Sequence, residues 1–329
     1  MKNILVINFG GIGDEILFLP TLISLKKEFP NSKITLALES RSRAICDLTD
    51  IIDNTVFVDI KTKNKYIELL KLIFKSWFGR YDFVVSSGAS PFISIVLFLT
   101  GIKRRYGYNT GKLSQKLLSE AVSLNKNQYA SAMYHDLINP ITSHKTYLPE
   151  ISIPRSEKEP NTVLIHPGVS KMSVQKGCIK TVSPKIWAET INILIDNGKK
   201  VILTGGKDDE ECINEIKTQI KHSENFIDYF NKTKTLKELA QLIAKCETFL
   251  CSDSCPLHVG VGVGAKTYVI FGPTNYKTLI PESENIIPVL ANDDCPLKPC
   301  LWERRMTSCK ELSCLNISAS DIANKVLGR

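Results

Sequence analysis

The stretch Ile4-Leu5-Val6-Ile7, followed by Gly10-Gly11-Ile12-Gly13-Asp14 and then by Glu15 to Phe29 with apolar residues at helical spacing, reads as strand, glycine turn and helix. Pro30-Asn31-Ser32 breaks that helix, and Lys33-Ile34-Thr35-Leu36-Ala37-Leu38 resumes as a strand, completing a first parallel unit. Further strands are predicted at Thr55 to Val58 and Asp82 to Ser86, with helices between. Alternation of this kind predicts an α/β doubly wound sheet.

The second half repeats the pattern. After a stretch rich in Pro, Ser and charge, Pro149 to Asn161, the segment Thr162-Val163-Leu164-Ile165 is a strand. Trp187 to Asn197 and Leu236 to Ala244 read as helices, and Lys200 to Thr204, Thr248 to Cys251 and Thr267 to Phe271 as strands. With 329 residues the chain exceeds one compact domain, so two Rossmann-like domains are expected, at 1–150 and 160–329. Sites in such sheets form outside the carboxyl ends of the strands, and two facing halves would make a cleft there.

Composition narrows the class. A hydrophobic fraction of 43% and a charged fraction of 23% exclude disorder and fibrous structure. The chain opens directly on a strand without a signal-peptide h-region, and its longest apolar run, Phe92 to Leu99, is far short of the ~20 residues of a membrane span. These features predict a cytoplasmic protein whose ten cysteines are reduced. A net charge of +8 favours anionic partners, and no Lys/Arg block is dense enough to grip nucleic acid.

Gly10 to Asp14 opens a helix, where free N–H groups and the helix dipole favour an anion; the plain alternative is a tight turn with Asp14 as helix cap. The run misses G-x-G-x-x-G, because Ile16 stands where the third glycine belongs. A denser constellation follows. His166-Pro167-Gly168, Thr204-Gly205-Gly206, Ser252-Asp253-Ser254-Cys255-Pro256-Leu257-His258 and Phe271-Gly272-Pro273-Thr274 all end strands, and Lys180 precedes a helix. In a parallel sheet these ends share one edge, and a phosphate-containing ligand fits them best.

Asp253 to His258, followed by Phe271 to Thr274, resembles the nucleotide-sugar signature of glycosyltransferase family 9, the lipopolysaccharide heptosyltransferases. Gly11-Ile12-Gly13-Asp14 with Pro20 and Leu25, and Lys180 seven residues before Trp187, match the same family in the same order. The resemblance implies a GT-B fold: two facing Rossmann-like domains with a central cleft, the N-terminal one for the acceptor and the C-terminal one for the nucleotide-sugar donor. It implies an inverting glycosyltransferase that needs no metal or other cofactor and moves a sugar, heptose from ADP-heptose, onto a lipopolysaccharide core or related glycan. The implied partners are a nucleotide-diphosphate sugar and a lipid-linked or core-oligosaccharide acceptor, with peripheral contact at the inner face of the cytoplasmic membrane.

Carried over by motif, Asp14 is the general base for the acceptor hydroxyl and Lys180 neutralises the departing diphosphate. Gly13, Glu210, Asp253, Ser254, Cys255, Leu257 and His258 are the donor-binding residues. Backbone N–H groups of Ser254 to His258 would hold phosphate, Asp253 sugar hydroxyls and Glu210 the ribose, with Asp208, Asp209 and Glu211 as alternatives for the last role. Cys255 stands where the family has glycine, and Val85 to Ser90 matches the acceptor-side strand end only loosely.

Other features divide between bland and functional readings. His258 reads as a capping or packing residue rather than a catalyst, and His166, at a strand end, reads equally as a ligand contact or as a satisfied buried histidine. Cys295, Cys300, Cys309 and Cys314 form a C-x4-C-x8-C-x4-C array, read as a structural clasp, with structural zinc as the second reading. In Tyr66 to Phe78 the face of Ile67, Leu70, Phe74 and Trp77 reads as packing on the sheet, the alternative being docking with Lys71 and Lys75 on anionic lipid. Lys103-Arg104-Arg105 reads as a solvated patch. Two other classes remain: a nicotinamide-dependent oxidoreductase, with Glu39 closing the second strand as a ribose-binding acid, and a non-catalytic nucleotide-sugar binder.

Overall fold

A computed structural model describes residues 1–169, 174–175, 177–292, 295–300 and 309–329. The chain forms two compact units, Met1–Ser152 and Ile153–Arg329.

The first unit runs β1 (Asn3–Ile7), α1 (Ile12–Glu28), β2 (Lys33–Leu38), β3 (Asn54–Phe57), α2 (Lys65–Phe78), β4 (Phe83–Ser86), α3 (Pro91–Leu99), β5 (Arg104–Tyr108), α4 (Lys112–Leu117), β6 (Glu120–Val122) and α5 (Ala130–His135). Its strands lie in the order β3-β2-β1-β4-β5-β6, and all pair in parallel. Ile4 sits between Ile34 of β2 and Phe83 of β4. Helices cover both faces of such a sheet, which is why Ile4 to Ile7 is a continuous apolar run and wholly buried. The chain moves one way from β1 to β3 and the other way from β4 to β6, leaving a crevice beyond the ends of β1 and β4.

Helix α2 settles on the sheet by a different face from the one expected. Leu69, Leu72, Ile73 and Ser76 are buried, the three apolar ones in the core with Leu5 and Val84, whereas Ile67, Leu70, Phe74 and Trp77 point outward. The apolar residues of the helix spread over more than half of its circumference, with Glu68, Lys71 and Lys75 on the remaining side, so periodicity alone offers two faces and the fit to the sheet selects between them.

The second unit runs β7 (Glu159–His166), α6 (Pro184–Asp196), β8 (Lys200–Leu203), α7 (Glu210–Lys217), β9 (Phe226–Asp228), α8 (Leu236–Lys245), β10 (Cys246–Ser252), α9 (Cys255–Gly262), β11 (Thr267–Phe271), α10 (Tyr276–Leu279), β12 (Ile286–Leu290) and α11 (Ala319–Leu327). The order β12-β11-β10-β7-β8-β9 is again fully parallel, with its reversal between β7 and β10. Helix α6 starts at Ser183, whose hydroxyl accepts from the Ile186 N–H at 3.4 Å, with Pro184 in the first turn. Its Trp187 is fully buried and donates from the indole N–H to Thr181 Oγ1 at 3.0 Å, which pins the segment carrying Lys180. Among the described residues no helix is long and apolar enough to cross a membrane.

Candidate functional site

Each unit has a cavity at its own sheet reversal. In the first unit, a cavity of about 580 Å³ opens beyond β1 and β4, bounded by Asn8, Phe9, Gly10 and Asp14 on one side and by Ser87, Tyr66, Phe92 and Tyr134 on the other. Asp14 lies in the first turn of α1. Its Oδ2 accepts from the Gly11 N–H at 2.8 Å, and Tyr134 donates its hydroxyl to Oδ1 at 3.3 Å. The cap reading of Asp14 and its exposure in the cavity are therefore both present: one oxygen closes the helix start while the carboxylate faces solvent. Gly10 must be glycine here, because a Cβ would collide with the Asp14 side chain. Burial and the neighbouring Asp14 push the Tyr134 phenol up, so it stays a donor. The next residue, Glu15, is almost wholly buried, and burial first, then Asp14, pushes its carboxyl well above the ordinary value.

In the second unit, a cavity of about 480 Å³ lies beyond β7, β8 and β10, lined by His166, Lys180, Gly206, Asp209, Ser254 and Cys255 among others. Lys180 is the central charge. It is buried, and its Nζ lies 3.4 Å from Oδ2 of Asp253, which also accepts from the Thr274 hydroxyl at 2.8 Å. A buried carboxylate with a cation and a hydroxyl on one oxygen is satisfied, and it fixes where the ammonium sits. The loop after β7 is tied to the end of β10: Ser252 Oγ donates to the Pro167 carbonyl at 2.8 Å and Ser254 Oγ to the Gly168 carbonyl at 3.1 Å. Asp209 closes the wall after β8, accepting from the Gly206 N–H at 2.8 Å and lying 3.8 Å from His166 Nε2. Gly168 leaves room for that carboxylate, since a Cβ would overlap it. Burial lowers the affinity of His166 for a proton, and the Asp209 carboxylate opposes this.

The structure sorts the residues singled out from sequence. Lys180, Ser254 and Cys255 line the second cavity, and Asp253 stands behind it holding Lys180. Leu257 and His258 are buried within α9 and are not among the lining residues. Glu210 is exposed and outside the lining, whereas its alternatives Asp208 and Asp209 belong to it. Gly13 lies with Asp14 in the first turn of α1. Sequence reading missed a whole wall: Thr233, Lys234, Thr235, Leu236 and Leu239, before and within α8. Its signal was present. Thr235-Leu236-Lys237-Glu238 is a helix-start box, in which Thr235 Oγ1 accepts from the Glu238 N–H at 3.1 Å and Glu238 accepts from the Lys234 N–H at 2.6 Å.

Glu39, the acid considered for a nicotinamide ribose, is buried and paired with Arg41 and Lys61. The cysteine array closes around a small apolar cavity of about 40 Å³, where Cys178 joins Cys295, Cys300, Cys309 and Cys314. Among the described residues no three His, Cys, Asp or Glu side chains are grouped to hold a metal ion.

Chemically, the second cavity suits a polyanion: a fixed ammonium, glycine backbone at the strand ends and the start of α9 converge on it. The first, lined by rings, aliphatic chains, serines and Lys65, suits a partly apolar body with one hydroxyl presented to a carboxylate.

Residues 78–309 match the pattern of "Glycosyltransferase family 9 (heptosyltransferase)". Lipooligosaccharide heptosyltransferase 2 of Campylobacter jejuni is 23% identical over 295 residues, 88% of this chain and 87% of that protein. Lipopolysaccharide heptosyltransferase 3 of Escherichia coli is 25% identical over 304 residues, 85% and 86% of the two. Among solved structures, the E. coli ADP-heptose lipopolysaccharide heptosyltransferase II superposes with a TM-score of 0.75 at 20% identity, covering 100% of this chain and 98% of that one, which establishes the shared two-domain GT-B fold.

Proposed function

We propose, since the chain belongs to glycosyltransferase family 9 and is therefore a glycosyltransferase, that it transfers heptose from ADP-heptose to a lipopolysaccharide core acceptor with inversion and without a metal. The donor follows from the names of its relatives, one of which is described as an ADP-heptose enzyme. The acceptor class follows in the same way.

In this reading the acceptor hydroxyl gives its proton to the Asp14 carboxylate while its oxygen attacks the anomeric carbon. The new C–O bond forms as the bond to the diphosphate breaks, and that electron pair leaves on the diphosphate oxygen. Lys180 meets the growing negative charge there, which makes a divalent cation unnecessary. A single displacement of this kind inverts the anomeric centre. Ser254 and Cys255 at the start of α9 bind phosphate, and Asp209 with Asp208 takes the ribose in place of Glu210. The acceptor is carried on lipid at the inner face of the cytoplasmic membrane, so the enzyme works as a cytoplasmic, peripherally attached protein.

The observation that carries the reading is the buried Lys180–Asp253 pair at 3.4 Å, beside a helix start and facing a cavity of about 480 Å³. The test is thermal stabilisation by ADP-linked, UDP-linked and GDP-linked sugars. A ligand at 100 times its Kd should add about 2.7 kcal/mol. ADP-heptose should stabilise most and be consumed on addition of core acceptor. No stabilisation by any ADP compound, or consumption that requires a divalent cation, defeats the proposal.

A further inference from the structure

Six large apolar side chains of α2, namely Tyr66, Ile67, Leu70, Phe74, Trp77 and Phe78, keep between 54% and 70% of their surface exposed. On neighbouring α3, Phe92, Ile95, Phe98 and Leu99 keep 37% to 50%. The two helices touch along their length: Tyr66 meets Phe92 edge-on at 6.3 Å near their starts, and the Trp77 indole donates to the Leu99 carbonyl at 2.9 Å near their ends. The result is a continuous apolar face rather than scattered residues, and a face of that kind is covered by something in use.

Charge says what covers it. Residues 60–119 carry eleven Lys and Arg against two Asp and Glu, a net +9, while the rest of the chain sums to −1. The cations rim the apolar face. Lys65 lies over the Tyr66 ring at 4.9 Å and Arg105 over Phe98 at 5.5 Å. Lys71 follows Ile67 by one turn and Lys75 precedes Phe78 by three residues, so both lysines edge the outward face of α2, Lys71 also pairing with Glu68 at 2.6 Å. Lys112 and Lys116 are exposed on α4. Aromatic and aliphatic side chains flanked by long cationic ones are the pattern that inserts into an anionic lipid interface, with the charges at headgroup level. The face also runs into the first unit's cavity, because Tyr66 and Phe92 line that cavity with Asp14.

We infer that the α2–α3 face is a docking surface for an anionic phospholipid bilayer, which brings the mouth of the Asp14 cavity to the membrane plane where a lipid-carried acceptor lies. This rests on the reading of Asp14 as the acceptor-side base.

The test is sedimentation of the full chain with vesicles of phosphatidylcholine, with and without phosphatidylglycerol. Binding should require phosphatidylglycerol and fall with added salt. Lys71→Glu with Lys75→Glu should weaken it at least about 30-fold, at roughly one kcal/mol per cation near the surface. Leu70→Ser with Phe74→Ser and Phe98→Ser should abolish it. The thermal melting transition of the first unit, expected unchanged, reports folding; should the apolar variant misfold, the charge pair alone carries the test, because it leaves the core untouched. Transfer to a water-soluble acceptor separates the two readings. Intact transfer with no vesicle binding overturns the docking surface and spares the enzyme. Vesicle binding without any transfer upholds the surface and removes the catalytic reading. If the apolar variant instead converts a dimer to a monomer and vesicles never bind, the face is a contact between copies and the inference is wrong.

Discussion

The two sheet reversals are built alike and equipped differently. Both are six-stranded parallel sheets whose chain direction changes between two central strands, β1 and β4 in one unit and β7 and β10 in the other. Topology therefore places a cavity in each and says nothing of its contents. The first is walled mostly by rings and aliphatic chains, with serines and Lys65 among them, around one exposed carboxylate, Asp14. The second gathers three lysines, Lys180, Lys207 and Lys234, against two carboxylates, Asp208 and Asp209, with glycine backbone and the start of α9. A fold of this type supplies two similar sockets, and under the proposed function the side chains at the strand ends would divide the labour of a two-substrate reaction between them.

That division can be broken most sharply at Asp14. Asp14→Asn keeps an acceptor for the Gly11 N–H but cannot take a proton, and kcat should fall about 10²- to 10⁴-fold. Nucleotide binding should be untouched, as measured by calorimetry. Retained transfer would show that the acceptor-side cavity lacks the base, and an inactive wild type that still bound nucleotide would mark a non-catalytic binder. Lys180→Ala is the counterpart on the donor side. It should lower kcat about 10²- to 10³-fold and, unlike the Asp14 change, also weaken nucleotide binding. If both substitutions left nucleotide affinity alone, the functional contrast between the two cavities would be lost.

A smaller contrast concerns how each charged group is held. Thr274 and Asp253 are both buried, so Thr274→Val leaves a carboxylate short of a donor and should destabilise the second unit by about 1–3 kcal/mol. Tyr134→Phe removes the hydroxyl donor from exposed Asp14 and should cost only about 0.5 kcal/mol. Chemical denaturation of the two variants compares them directly. Equal losses would mean that the base is held as tightly as the ammonium.

How much of this was legible depends on whether the signal was local. The central strands were readable because a sheet covered on both faces demands unbroken apolar runs, as in Ile4 to Ile7 and Phe249 to Cys251. The ends carrying Asp14, Lys180 and Ser254 were readable from turn residues and motif order. Partnership was not. Thr274 is 21 residues from Asp253 and meets it because β10 and β11 are neighbours. Glu210 against Asp209 was undecidable from a run of acids, since one residue along a helix start turns a side chain from cavity to solvent. The outward face of α2 was hidden for the opposite reason: two apolar faces gave the pattern two equal answers, and only the sheet chose Leu69, Leu72 and Ile73.

Glu15 shows how far the two sockets differ in what surrounds their charges. Asp253 in the second unit has Lys180 beside it and Glu39 in the first has Arg41 and Lys61, whereas Glu15 has no cation among the described groups that act on it. Burial and the charges of Asp14 and Glu39 raise it, opposed only by the neutral donors Asn8 and Gly10. Its carboxyl is accordingly raised, mainly by burial, so the folded state holds a proton that the unfolded chain releases above the ordinary value of 4.5. Between that pH and the raised value, stability must fall as pH rises, by up to about 1.4 kcal/mol per pH unit. Glu15→Gln keeps the shape and removes the titration. Its melting temperature should match the wild type near pH 4 and exceed it by a margin that grows toward neutrality. A margin that is constant with pH, or that shrinks as pH rises, would mean that a donor compensates Glu15 as Lys180 compensates Asp253, and that the two sockets treat their buried acids alike.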